Sequence, residues 1–372
     1  NLLSFSNTFT ANAAERYKYV SLRSVNQYMS NEKQNTKKPT LQDVAIIAGV
    51  SVSTVSHVLN KTATISDVTK ARVMEAVHTL NYRPASESAG RLFRQNRKTI
   101  GVIVQDIRNE FYAACAGSIL GCADNSAYTV LLCDCEYDLQ REIDIVQELI
   151  YQNASGLIFF GGTDDSSAIQ LADGYGIPVV LANRRVSGFS SVTFNHTKII
   201  RELISMLHKA NRKEYLYLSE SLDLQSISDR RDGFCLGMMD CGVSPNNYSI
   251  VCDKRLQLNK VDMGYVVLEE YIDTHHGVDF DTIITSSDLI AIGVLKCLAK
   301  HDYRVPEDIW VLGYDDISVA SIVSPSLTTI RQDTDRLGEE AFSLLNEMIQ
   351  SGNHRPKQIM IENTLVIREG GF

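Results

Sequence analysis

Residues 41–60 read LQDVAIIAGVSVSTVSHVLN, and the spacing of their small and apolar positions is that of two short helices crossing at a tight turn. Thr40 followed by Asp43 can cap a first helix, Leu41 to Ala48, although Asp reaches back less well than the Glu of a full capping box. Ala45 lets a second helix cross closely, and Gly49 can take the positive φ that the turn needs. Val44, Ala48, Val50, Val55 and Val58 recur at the spacing that buries one side of both helices. Ser51 can cap the second helix, so Val52, Ser53, Thr54, Ser56 and His57 project outward near its N-terminal end. A recognition helix presents base-reading side chains there, and its dipole favours phosphate. An ordinary helical hairpin could imitate this pattern, so the surrounding charge matters.

From Met29 to Lys98 there are eleven Lys or Arg against five Asp or Glu, although the whole chain of 372 residues carries a net charge of −9. A small basic module for a polyanion, joined to an acidic domain that a polyanion would repel, fits this split. The length implies two or three domains. No stretch approaches the roughly 18 apolar residues of a membrane helix, and no signal peptide precedes the basic module, so no membrane partner and a cytoplasmic location are expected. The eight cysteines show no paired CxxC spacing and are expected to be buried reduced thiols, with no metal and no cofactor.

Beyond residue 98, short β-rich runs alternate with helix-length amphipathic stretches: Ile100 to Val104, Thr129 to Cys133, Leu157 to Phe160, Val179 to Leu181, Tyr215 to Leu218, Ile283 to Ser286 and Ile309 to Leu312. This is a doubly wound α/β pattern, in which ligands lie at the carboxyl ends of parallel strands. The residues to inspect are therefore Asp106 to Tyr112, Gly161 to Asp165, Asn183 to Arg185, Ser286 to Asp288 and Tyr314 to Asp316. The first strand is not followed by GxGxxG, and no nucleophile, base or metal-ligand spacing stands out, so neither a nicotinamide enzyme nor any other catalytic site is indicated.

DVAIIAGVSVSTVSHVLN and ISDVTKARVMEAVHTLNYRP resemble the DNA-binding headpiece of the lac repressor and galactose repressor family. IGVIVQDIRNEFYAACAGSI, SGLIFFGGTDD, IPVVLANRR, RRDGF, SSDLIAIGVL and VPEDIWVLGYDDISVASIVSPSLTTIRQDTDRLG resemble successive segments of that family's effector domain, over about residues 38 to 368. The resemblance implies an α/β chain. An all-α helix-turn-helix headpiece precedes a two-lobed effector domain like periplasmic sugar-binding proteins, with two doubly wound parallel sheets joined by three crossings. The implied boundaries are a leader over 1–38, with Met29 as its natural start, a headpiece over 39–84, a hinge over 85–98 and an effector-binding and dimerisation domain over 99–372. Lobe one is expected at 99–183 plus 306–332, and lobe two at 184–305 plus 333–372.

The family's pattern carries over residue by residue. DNA contacts are expected from Thr40, Ser51, Val52, Ser53, Thr54, Ser56, His57 and Asn60, and from Ala89 and Leu92 of the hinge, with Phe93 competing for the minor-groove wedge. The effector is expected to meet the aromatic pair Phe111 and Tyr112, then Asp164, Arg230 and Asp315. Ser287 stands where the family commonly has Asn, which shortens one contact. Aromatics stack on the C–H face of a hydroxylated ring, while Arg and carboxylates take its hydroxyls. Phe111 or Tyr112 could instead only pack under a helix, and Asp164 or Asp315 could only cap a turn. The implied function is a transcriptional regulator that is not an enzyme, a repressor of a carbohydrate operon released from double-stranded, pseudo-palindromic operator DNA by a sugar or sugar derivative. A corepressor-dependent regulator of purine type and a periplasmic sugar-binding protein are the alternatives. After TLVIRE only Gly370, Gly371 and Phe372 remain, so a homodimer rather than a tetramer is expected.

Overall fold

The computed structural model describes residues 39–59, 62, 63, 65–80, 82, 98–124 and 128–372. The expected contacts at Asn60, Ala89 and Leu92, the competing Phe93, and the leader with Met29 lie outside these residues. Two units result, a headpiece and a larger α/β unit, divided near residue 89.

In the headpiece, α1 (Leu41–Ala48) has the boundaries its sequence pattern implies. Its capping box is complete despite the short Asp: Asp43 Oδ2 accepts from the Thr40 N–H at 2.7 Å, and the Asp43 N–H reaches Thr40 Oγ1 at 3.4 Å. Gly49 sits at φ 63°, a left-handed conformation that costs glycine little, and turns the chain into α2 (Val52–Leu59) at 102°. Ser51 Oγ accepts from the Thr54 N–H at 3.1 Å and so caps α2. A third helix, α3 (Asp67–Thr79), closes the core with Val73, Ala76 and Val77 against Val44, Ala45, Ala48, Val55 and Leu59. Val50 and Val58 are only partly buried, at the margin of this core. Among the described residues no single helix is long and apolar enough to cross a membrane.

The larger unit holds two six-stranded sheets. The first contains β1 (Lys98–Val104), β2 (Tyr128–Asp134), β3 (Gly156–Phe160), β4 (Val179–Ala182), β5 (Ser190–Phe194) and β11 (Gln358–Ile361). Their order is β11-β5-β4-β3-β1-β2, and all pairings are parallel. The second contains β6 (Tyr215–Ser219), β7 (Tyr248–Cys252), β8 (Thr282–Thr285), β9 (Trp310–Asp315), β10 (Thr328–Arg331) and β12 (Thr364–Val366). Its order is β12-β10-β9-β8-β6-β7, parallel except for the edge strand β12. All seven strands read from the sequence are present. The helices of lobe one are α4 (Glu110–Asp124), α5 (Leu139–Tyr151), α6 (Ser167–Gly174) and α11 (Thr334–Ser351). Those of lobe two are α7 (His196–Lys209), α8 (Gln225–Asp240), α9 (Lys260–His275) and α10 (Asp288–Lys300).

Lobe two shows why its strands read as continuous apolar runs. Leu216 and Leu218 of β6 face the core beneath α9 and α10, while Tyr215 and Tyr217 face the core beneath α7 and α8, so alternate residues are buried on opposite faces.

The chain passes between the sheets three times, between β5 and α7, between β10 and α11, and between β11 and β12. The number agrees with the expectation, but the lobe boundaries need correction. Residues 306–332 belong to lobe two, because β9 pairs with β8 and β10 pairs with β9. Residues 334–361 belong to lobe one, because β11 pairs with β5 and α11 lies in the same core as β1 and β3. The segment just after 183 stays in lobe one, since β5 pairs with β4. Register across a sheet is a long-range property, and the local apolar pattern of β9 or β11 does not say which sheet it joins. Cysteines depart in part from expectation: all eight are free, but Cys252 is exposed.

Candidate functional site

Two sites emerge, one on each unit. On α2 the side chains of Val52, Ser53 and His57 are exposed, and those of Thr54 and Ser56 are partly so. Ser51 Oγ lies 2.8 Å from the hydroxyls of both Ser53 and Thr54, a knot of small polar groups at the positive end of the helix dipole. His57 Nδ1 is 2.8 Å from the Thr62 hydroxyl. When that hydroxyl donates, the ring carries its hydrogen on Nε2 and presents a donor outward. Thr40 is exposed at the start of α1, with its hydroxyl engaged by Asp43 at 2.7 Å.

The second site is a cleft between the two lobes, lined by Asn109, Phe111, Tyr112, Tyr137 and Asn183 from lobe one and by Glu220, Leu224, Ser226, Ile227, Arg230, Ser287 and Asp315 from lobe two. Nearly all follow the carboxyl ends of strands, where parallel α/β sheets leave room for a ligand. Five of the six expected effector residues, Phe111, Tyr112, Arg230, Ser287 and Asp315, come together here. Asp164 does not: it is exposed and accepts from Gln225 Nε2 at 3.2 Å. The adjacent Asp165 performs the capping that was the alternative for this segment, accepting from the Ser167 N–H at 2.8 Å.

Arg230 organises the lobe-two side. It is 4% exposed, donates through Nη1 to the Ser286 carbonyl, lies 3.5 Å from Asp315 Oδ1 through Nη2, and stacks 3.7 Å above the Tyr314 ring. Its buried Nε has no protein partner. Burial pushes the Asp315 carboxyl up to about 6, against the pull of Arg230 and Lys260. Gln332 Nε2 donates to Asp315 Oδ1 at 2.6 Å. Next to it, Glu220 accepts from Lys260 Nζ at 2.5 Å and from the Ser286 hydroxyl. Burial opposes its ionisation, but these donors hold its carboxyl below the usual value. Ser287 caps α10 through the Ile290 N–H at 3.4 Å while lining the cleft.

The lobe-one side is neutral. Phe111 and Tyr112 meet edge to face at 5.2 Å, and Asn109 Oδ1 fixes the start of α4 by accepting from the Phe111 N–H at 3.1 Å. Burial drives the Tyr112 and Tyr137 phenols well above their usual values, so both remain hydroxyl groups. The alternative role of Phe111 and Tyr112, packing under a helix, is also fulfilled, since both belong to the lobe-one core.

Behind the cleft, a buried chain of hydrogen bonds joins the first and third of the crossings between the lobes. His196, at the first crossing, lies 2.7 Å from Asn183 Oδ1 through Nε2 and 2.7 Å from the Tyr314 hydroxyl through Nδ1. Asn363, at the third crossing, donates to the same hydroxyl at 3.2 Å. Burial holds the His196 pKa well below its usual value, helped by Arg230 and Arg185, so the ring is neutral. With Asn183 as acceptor, Nε2 carries the hydrogen and Nδ1 accepts from Tyr314.

Sequence reasoning reached Asn109 and Asn183 only as members of windows to inspect, and missed Tyr137, Glu220, Leu224, Ser226, Ile227 and Lys260. The carboxyl-end rule would have found Glu220, which directly follows β6. Lys260 gives no such signal, because a buried Lys at a helix start reads as a solvated one until its carboxylate partner is known.

Residues 206–370 match the family described as periplasmic binding protein-like domain, and residues 40–85 match bacterial regulatory proteins, lacI family. The chain is 28% identical over 333 residues to the ribose operon repressor of Escherichia coli (strain K12), covering 88% of this chain and 98% of that protein. It is 29% identical over 338 residues to the HTH-type transcriptional repressor PurR of Photobacterium profundum, covering 89% and 98%. Among solved structures it resembles the lac repressor dimer bound to operator and the anti-inducer ONPF, at 25% identity and a TM-score of 0.64 over 90% of this chain and 99% of that one. It shares its fold with the transcriptional regulator CelR in complex with cellobiose, at 24% identity and a TM-score of 0.66 over 90% and 100%. A lacI-type DNA-binding headpiece joined to a periplasmic-binding-like effector domain, with regulators as its relatives along nearly their whole length, makes this chain a member of the lacI family of bacterial transcriptional regulators and not an enzyme.

Proposed function

We propose that the chain is an inducible repressor whose interlobe cleft takes a neutral, hydroxylated carbohydrate. The observation that carries this reading is Arg230: a buried guanidinium, braced by Asp315 and Tyr314, whose Nε has no protein partner. A buried unsatisfied donor costs roughly 1 to 3 kcal/mol, which an acceptor on the effector would return. Around it the acidic side chains Glu220 and Asp315 are matched by the basic Arg230 and Lys260, so the cleft suits a ligand without net charge. Phe111 and Tyr112 supply the apolar face for a sugar ring, and Asn109, Asn183, Ser226 and Ser287 supply paired donors and acceptors. The ribose and cellobiose named for the relatives belong to the same chemical class.

In this mechanism the effector binds both lobes at once and so changes their relative angle through the three crossings. Arg230 stacks on Tyr314, and Tyr314 bonds His196, so a ligand that repositions Arg230 acts on the crossing itself. A homodimer presents two copies of α2 to a pseudo-palindromic operator, with Val52 against a thymine methyl, Ser53 and His57 against base edges, and Thr40, Ser51, Thr54 and Ser56 against phosphates. The effector weakens this binding, and the protein works at its operator in the cytoplasm. A thermal-shift screen of sugars, sugar phosphates and nucleobases on the purified chain tests the reading, because a ligand of the folded state raises the melting temperature. A neutral sugar that stabilises the wild type but not Arg230→Ala, and that releases the operator, is the expected result. Stabilisation by a nucleobase that tightens operator binding would replace induction with corepression.

A further inference from the structure

We propose that lobe two carries a zinc site, separate from the cleft, made by Glu269 of α9, Cys297 of α10 and His301 at the end of α10. The three ligand atoms lie within 4.8 Å of one another. Glu269 Oε2 is the common neighbour, 2.9 Å from His301 Nε2 and 3.4 Å from Cys297 Sγ. Thiolate, imidazole and carboxylate are the donor types zinc takes, at about 2.3, 2.0 and 2.0 Å respectively. Tetrahedral angles at those bond lengths put ligand atoms roughly 3.3 to 3.6 Å apart, close to the two distances from Glu269 Oε2, so that side of the triangle needs only small shifts to accept the ion.

Three further features favour a binding site over a chance cluster. Lys300 Nζ holds the other carboxylate oxygen, Oε1, at 2.5 Å and thereby directs Oε2 at the Cys and His. The two helices that carry the donors are locked together: a Cβ on Gly293 would fall 2.1 Å from the Val261 carbonyl oxygen, and one on Gly264 would fall 2.6 Å from that of Ile290. The donors also differ in depth, with Cys297 fully buried and Glu269 and His301 half-buried, so the cluster is anchored in the core and reachable from solvent. On binding, the Cys297 S–H bond breaks, its proton passes to solvent, the S–Zn bond forms, and the ion replaces the His301–Glu269 hydrogen bond. Two anionic ligands offset the dication, and the ammonium of Lys300 on Glu269 leaves the cluster with one net positive charge. Cys297 and His301 are four residues apart and so share one helical face, while Glu269 comes from another helix. No paired cysteine motif exists, which is why no metal was legible in the chain's local patterns.

Cobalt(II) is the probe, added to metal-stripped full-length protein in the absence of DNA and sugar. The expected result is one equivalent bound per chain, with a thiolate-to-cobalt charge-transfer band and the visible bands of a tetrahedral centre, both removed by equimolar zinc. Cys297→Ser should abolish the charge-transfer band, and His301→Gln should weaken cobalt binding at least tenfold. Because His301 is partly exposed, its variant keeps the test valid if Cys297→Ser is unstable. Cys252→Ser, at an exposed thiol elsewhere, should leave the spectrum unchanged. Absence of a stoichiometric cobalt spectrum, its survival in Cys297→Ser, full cobalt affinity in His301→Gln, or its loss in Cys252→Ser would overturn the assignment.

Discussion

The two lobes share one sheet plan but bring unlike chemistry to the cleft. Lobe one lines it with Asn109, Phe111, Tyr112, Tyr137 and Asn183, all neutral, whereas lobe two lines it with Glu220, Arg230, Ser287 and Asp315. Lobe one does bury an ion pair, Arg184 with Glu142 at 3.1 Å, but these two side chains are not among the residues lining the cleft. Lobe two thus holds its charges in pairs, Arg230 with Asp315 and Lys260 with Glu220, and those pairs already limit the cost of desolvation. The difference assigns orientation and response to lobe two, and shape and stacking to lobe one.

Arg230→Ala probes the charged side most severely. It leaves Asp315 buried without its cation and removes the guanidinium above Tyr314, so effector affinity should fall by about 100-fold or more, roughly 3 kcal/mol. Operator affinity should stay near that of the wild type, and calorimetry beside a gel shift separates the two. A variant that responds at the original effector concentration breaks the division between lobes.

His57→Ala moves the test to the other unit. The expected cost is about 1 to 3 kcal/mol in operator binding, with specificity relaxed at one symmetric base pair and effector affinity unchanged. Uniform weakening over all DNA sequences would reassign His57 to the backbone.

The difference in legibility between these two sites is instructive. The helix-turn-helix rests on neighbours in sequence: the Thr40 and Asp43 cap, Gly49 in the turn, Ser51 at the next helix start. Each of those is visible within a few residues. The cleft is assembled from chain segments more than 200 residues apart, Asn109 to Asp315, and its strand ends were legible through the α/β alternation. Lobe membership was not, because β9 and β11 gain their partners from distant strands. Strands β5, β7, β10 and β11 were also not read, being short and mixed in polarity. Asp164 failed because two adjacent aspartates leave the register open, and neither of them lines the cleft: Asp164 accepts from Gln225 and Asp165 from the Ser167 N–H.

The pH dependence of effector binding sharpens the comparison further. The folded Asp315 carboxyl titrates near 6, above the unfolded value of about 3.9. Its protonated form is therefore favoured in the fold: that contribution to stability is complete below the unfolded value and is lost as pH rises through about 6. An effector hydroxyl that donates to the carboxylate selects the ionised form, so affinity should rise about tenfold from pH 5 to pH 7 with release of a proton. In Asp315→Asn this rise should disappear. An affinity that falls over the same range would place a carboxylic acid, not a carboxylate, against the effector.

The smallest effect is expected on the neutral side. Tyr112→Phe keeps the ring and removes one hydroxyl, and should cost about 0.5 to 1.5 kcal/mol in effector affinity without altering its pH dependence. A loss as large as that of Arg230→Ala would show that lobe one carries orientation as well.

The central claim is that the cleft and the recognition helix are energetically linked, and linkage is reciprocal. The direct test is the effector dissociation constant measured twice on the same preparation, free and saturated with operator duplex. Binding should be weaker on DNA by roughly 5- to 150-fold, and the factor must equal the loss of operator affinity caused by saturating effector. Equal effector affinity in the two states would contradict the linkage, and tighter effector binding on the operator would contradict induction.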